Sequence, residues 1–189
     1  MEEKTKIDRA LRRAVALAEG ALPVIRAQGI GSVTADDLAQ AMGISRATFF
    51  RHFATKDEAL LFAVMGDAAL FSLDMAQPCD LRGQVVWPVL RHAFRCFDAK
   101  AADSDFRDRL RLVLVSPALG SQLRLSRAPQ IAALVDGLVA CQLDPLIARY
   151  LVSAAVAVAD RCLADWARAD EGDLSDALDT AFAALARGY

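Results

Sequence analysis

Arg46, Thr48 and Arg51 crowd one face of the stretch GISRATFFRHF, residues 43–53. A guanidinium can pair bidentately with guanine, and the methyl group of threonine can contact thymine. The same side chains hydrogen-bond phosphates. Ser45 and Ala47 lie beside them, and Thr34, Phe50 and Lys56 flank the face where a nucleic-acid backbone would run. The chemistry on offer is recognition of a duplex rather than catalysis. The helical segment is nevertheless too short to persist alone, so other elements must hold it.

Nothing else in the chain competes as reactive chemistry. His52 sits between Arg51 and Phe53, a packing position, and His92 lies among Trp87, Phe94 and Phe97. No serine, histidine and acid set has a nucleophile context, and no glycine loop suits a phosphate. Cys79, Cys96, Cys141 and Cys162 are scattered without metal-ligand spacing and read as reduced thiols. The sequence therefore predicts no catalytic residues, no metal site and no cofactor.

The elements that position this face are helical. In TADDLAQAMGIS, Thr34 caps a helix whose positive end meets Asp36 and Asp37. Leu38, Met42, Ile44, Phe49 and Phe53 supply a shared core. Ala39 is small where two helices cross, Gly43 suits a left-handed turn, and Ser45 caps the second helix. Together these describe a helix-turn-helix. Behind it, Leu11, Val15, Ala18, Leu22 and Ile25 form an amphipathic stripe that ends at Gly29. Pro23 should either kink this helix or open a second segment after Gly20. Thr55 and Glu58 form a capping-box signal for a further helix of about twenty residues, carrying Leu60, Leu61, Val64, Ala68, Phe71 and Met75 and stopped by Gln77-Pro78-Cys79-Asp80.

Further helices are expected over 81–99, 104–115, 117–125, 128–141, 144–168 and 173–187, with Pro117, Pro129 and Pro145 near their starts. The fold class is all-α with nine to ten helices and no convincing strand pair. Residues 1–56 form the helix-turn-helix head and residues 57–189 the body. The head carries net charge +3 and the body −5, as suits a protein that touches a polyanion at one end. The chain is 55% apolar with mean hydropathy +0.27, yet no apolar run reaches the roughly 18–20 residues of a membrane span. The N-terminus does not read as a signal peptide. The expectation is a cytoplasmic protein without a membrane partner, whose excess apolar surface is covered by self-association.

With Gly29, VTADDLAQAMGIS and RATFFRHFATKDEALLFAV in register, residues from about 8 to 65 resemble the DNA-binding head of the TetR family of bacterial transcriptional regulators. The resemblance implies a three-helix head, a fourth helix linking it to an all-helical ligand-binding body, and a homodimer formed largely by the last two helices. Phe50 departs from the family, which commonly has tyrosine there, and Pro23 is unusual inside a first helix.

The body reads accordingly. Ala and Val fill nearly every face from Ile147 to Val158, and Ala154, Ala155, Val158 and Cys162 would allow close approach of a partner helix. Leu178 and Phe182, in a stripe with Leu174 and Leu185, complete the expected dimer interface. Trp87, Phe94 and Phe106, with Arg91 and Arg95, are the expected ligand pocket. An apolar cavity with a basic mouth would suit an acyl thioester or another small amphipathic anion. The leading reading is a ligand-responsive repressor that binds a palindromic double-stranded DNA operator as a homodimer. The alternative is a helical interaction or ligand-carrier protein whose head no longer reads DNA.

Overall fold

The computed structural model describes residues 2–66, 86–101 and 104–188. Among them are eleven α-helices and no strand, so the chain is all-α. It packs as two compact units, one drawn from Met1–Leu70 and Leu112–Ser126, the other from Phe71–Arg111 and Arg127–Tyr189.

The first unit begins with α1 (Glu2–Glu19) and α2 (Leu22–Gln28). Of the two alternatives open at Pro23, a kink or a second segment after Gly20, the chain takes the second. A tight turn forms as Gly20 and Ala21 donate to the carbonyls of Leu17 and Ala18, and Pro23 then sits in the first turn of α2, where its missing N–H costs no bond. Val15, Ala18 and Ile25 of the expected stripe are buried and Leu22 is half-buried. Helix α3 (Ala35–Ala41) packs on α2 and on α4 (Arg46–His52), while α5 (Lys56–Met65) packs on α1 and α2. Every residue from Ala59 to Met65 is buried. The boundary expected at residue 56 thus falls at the first residue of a helix whose contacts lie with the head. Helix α5 is ten residues long and closes on Gly66, whose φ of 54° suits glycine. The expected continuation through Ala68, Phe71, Met75 and the Gln77–Asp80 stop lies outside the described residues.

In the second unit the helix expected over 81–99 is two described segments, α6 (Val86–Ala93) and α7 (Cys96–Ala101). Helix α8 (Ser104–Val115) is as expected; its residues from Leu112 on, and those of the next helix up to Ser126, belong to the first unit. The expected pair over 117–141 is instead one helix, α9 (Pro117–Ala140), with Pro129 inside it. Proline at 129 lacks the N–H that would otherwise donate to the carbonyl of Leu125, a residue that is itself largely exposed. Helix α10 (Pro145–Arg168) is capped by Asp144, which accepts from the N–H groups of Leu146 and Ile147. Helix α11 (Leu174–Arg187) is capped by Asp173 and ends at left-handed Gly188. It lies against α6, α7 and α10, with the Phe182 ring 5.6 Å from Phe94 and 6.5 Å from Trp87.

Two arginines of α8 grip the end of α10. Arg107 donates to the carbonyls of Asp170 (2.6 Å) and Gly172 (2.9 Å), and its guanidinium lies 4.4 Å from the centre of the Trp166 ring. Arg111 donates to the carbonyls of Ala167 and Ala169. Cations at a helix C-terminus satisfy orphan carbonyls and oppose the helix dipole.

Cys96 and Cys162 are free thiols and Cys141 is buried; Cys79 lies outside the described residues. Burial pushes the Cys96 thiol up to about 11, with Asp98 adding to the rise and the nearby Arg127 opposing it. A raised thiol favours the folded state fully below the ordinary value of roughly 8.5, and that contribution is lost as pH rises through about 11. Urea denaturation between pH 8 and pH 10.5 should therefore show stability falling, and Cys96→Ala should remove that part of the slope. An equal slope in the variant would contradict this.

Candidate nucleic-acid interface

The turn between α3 and α4 is built from its ends. Thr34 Oγ1 accepts from the Asp37 N–H (3.2 Å), while the Thr34 N–H (2.9 Å) and hydroxyl (2.6 Å) donate to Asp37 Oδ2. This reciprocal capping box, stronger than the cap expected of Thr34 alone, holds the Asp37 carboxyl below the usual carboxylate range. After α3, Gly43 takes φ of 68° and the Ile44 N–H returns to the Ala39 carbonyl at 3.0 Å. A Cβ at Gly43 would meet nothing within 4 Å, so the requirement for glycine there is conformational rather than steric.

Ser45 opens α4, accepting from the Thr48 N–H at 3.2 Å and donating to Thr48 Oγ1 at 3.0 Å. The Phe49 ring packs 5.1 Å from Phe53, and both are fully buried with Leu38. That anchorage leaves Ser45, Arg46, Ala47, Phe50 and Arg51 exposed, with Thr48 half-buried among them. Helix α4 is held from behind and presents a polar, cationic face in front.

Two expected contacts are partly committed within the chain. The Thr34 hydroxyl spends its proton on Asp37, which leaves it no donor for a phosphate. Lys56 Nζ donates to the Val33 carbonyl at 3.1 Å, keeping two N–H groups for an anion. Phe50 packs edge-on against Phe49, with ring centres 5.2 Å apart. His52 is half-buried with its ring 6.3 Å from Phe53, a packing position. Sequence reasoning missed Asp36, whose Oδ1 takes a 2.5 Å hydrogen bond from Arg46 Nη1. Only the turn geometry brings positions ten apart together, so no spacing rule would have found the pair.

The residues expected to line a ligand pocket do not all converge. Trp87, Arg91 and Phe94 gather against α11, whereas Phe106 packs on Trp166 with ring centres 6.1 Å apart. Arg95 is exposed beside His92, 3.4 Å away. Arg91 is a clasp rather than a free cation: it pairs with Asp179 (2.6 Å) and Asp98 (2.9 Å) and donates to Ser175 Oγ (3.0 Å). Its Nη1 is buried without a hydrogen-bond partner among the described residues. Arg127, which the sequence did not single out, is buried and donates to Asp160 at 2.6 Å. Among the described residues, no group of three or more His, Cys, Asp or Glu is placed to hold a metal ion.

The residues expected at a dimer interface also divide. Ala155, Leu178 and Phe182 are buried within the protomer and serve its own core; the alternating stripe of α11 pointed inward, against α6. Ala154, Val158 and Cys162 are half-buried. The outer surface of α10 carries Leu146, Ile147, Tyr150, Ser153 and Ala157, all exposed.

A short capped helix seated on a second helix, with arginines outward, defines a protein of the helix-turn-helix class. Residues 17–64 match the model for bacterial regulatory proteins of the tetR family, and residues 84–189 match that of the MftR C-terminal domain. The chain belongs to the TetR family, and it is a DNA-binding regulator with a ligand-responsive body. The first match ends inside α5, past residue 56. No curated protein matches the chain. The family is one of regulators rather than enzymes. No described helix is long and apolar enough to cross a membrane.

Proposed function

We propose that the protein is a repressor that binds a palindromic DNA operator as a homodimer and leaves it when a small amphipathic ligand occupies the body. The observation that carries this reading is the outward face of α4, where Arg46, Ala47, Phe50 and Arg51 are exposed while Phe49 fastens the helix from behind. Arg51 makes no hydrogen bond or ion pair among the described residues, so its fork is available to guanine or phosphate. Repression requires only that the operator be occupied.

The dimer is supported by apolar surface that the protomer leaves uncovered. On α10 these are Leu146, Ile147 and Tyr150, the last 62% exposed. Thr180, Ala183 and Ala184 on α11 are small and at least partly exposed, which permits a partner helix to approach closely. Two heads roughly 34 Å apart read successive half-sites. A ligand that prefers another spacing lowers DNA affinity by its differential binding.

The test is a titration of the purified protein against DNA from upstream of its own gene and against a scrambled duplex. Tight, salt-sensitive preference for the first supports the reading. Saturating candidate ligands that leave DNA affinity unchanged would remove the release mechanism but not the DNA binding.

A further inference from the structure

Asp36 is an odd charge to find at this interface. It lies in the first turn of α3 beside Asp37, 67% exposed at its side chain and within reach of the cationic face of α4. A carboxylate here repels phosphate and so works against general affinity for DNA. A carboxylate in the first turn suits the positive end of α3, but Asp37 already serves that end, and the pairing with Arg46 is not needed for it. Arg46 is itself 62% exposed, and ion pairs between exposed partners add little.

The geometry of Arg46 supplies a reason. One guanidinium nitrogen, Nη1, is held by Asp36 Oδ1 at 2.5 Å, and the guanidinium carbon lies 5.3 Å from the centre of the Phe50 ring. The group is therefore fixed on two sides, by a carboxylate from α3 and by a ring one turn further along α4. Its Nε and Nη2 donors have no other partner among the described residues, and two such parallel donors match the O6 and N7 acceptors of guanine. A free arginine would have to lose its side-chain freedom on binding, and it would accept any phosphate within reach. A guanidinium already neutralised by Asp36 gains less from a bare charge and more from a directed pair of hydrogen bonds. Specificity is a difference between affinities, and a repulsive element contributes to it.

We infer that Asp36 is a positioning residue that holds Arg46 for one guanine in each operator half-site and weakens binding to all other DNA. This rests on the DNA-reading function proposed above. Asp36 itself touches no base.

The experiment is selection of bound sequences from a pool of random duplexes by the wild-type chain, Asp36→Ala, Arg46→Ala and the double variant, with base preference read position by position. A parallel anisotropy titration on unselected duplex measures general affinity. In the wild type, one position per half-site should demand G·C. Asp36→Ala should weaken preference at that position about tenfold, leave the others intact, and bind unselected duplex more tightly. Arg46→Ala should abolish preference at the same position, and the double variant should lose no more than Arg46→Ala alone. Asp36→Ala with unchanged positional preferences would overturn the inference. So would equal loss at every position, the signature of a merely structural role. Enrichment of no sequence by the wild type would overturn the DNA-reading proposal, and the inference with it.

Discussion

Phe53→Ala should abolish DNA binding while leaving the body helical. Phe53 is fully buried at the end of α4, with its ring 5.1 Å from Phe49 and 6.3 Å from Phe62 of α5. It therefore joins the short helix to the one beneath it. Removing a buried phenylalanine forfeits its transfer free energy and leaves a cavity, at about 3–5 kcal/mol. Whole domains are held by about 5–15 kcal/mol, and a small head commands the low end of that range. Helix α4 has no support but this core. The check is urea denaturation together with anisotropy on operator DNA. Phe50→Ala is the control, because Phe50 is 47% exposed and its loss should cost under about 1 kcal/mol. Equal stability of the two variants would refute the assignment of Phe53 to the core.

Trp166→Ala should be the most damaging single change in the body. The indole is buried, donates from Nε1 to the Gly172 carbonyl at 3.1 Å, packs on Phe106 and lies under the Arg107 guanidinium. Truncation costs about 3–5 kcal/mol and also removes a cation–π contact of about 0.5–2 kcal/mol, terms that overlap rather than add. The link between α10 and α11 loses its anchor, so under the dimer proposal subunit affinity should fall as well. Thermal denaturation measures the first effect and sedimentation velocity the second. A melting temperature within a degree of wild type would contradict this role. Loss of stability with undiminished dimerisation would place the partner contact away from this link.

The head was legible in the sequence because its signals are local. Thr34, Gly43, Ser45 and Thr55 each act through backbone groups within a few residues, and the pattern of Leu38, Phe49 and Phe53 fixes which faces meet. What depended on tertiary context was not. Pro129 reads as a helix start, yet α9 runs through it, since a proline signal says nothing of the packing that carries a helix past it. Leu178 and Phe182 form a clean stripe that serves either an internal or an external partner; only the position of α6 decides. Arg91 read as part of a basic mouth, whereas it reaches Asp179, 88 residues away, and Arg107 and Arg111 of α8 find partners 63 and 56 residues away. The pairing of Asp36 with Arg46 was missed for the same reason.

The central claim is that α4 reads DNA in a paired protein. It is tested most directly by fluorescence anisotropy of labelled upstream DNA and its scrambled counterpart, titrated with the purified chain at several salt concentrations, with stoichiometry from the saturating limb. The expected result is two protomers per duplex, a log–log salt slope set by the phosphates neutralised, and affinity for the upstream duplex at least about 10³-fold above the scrambled one. Equal, weak binding to both duplexes would contradict it for that promoter. The same equality across a random pool would contradict it altogether.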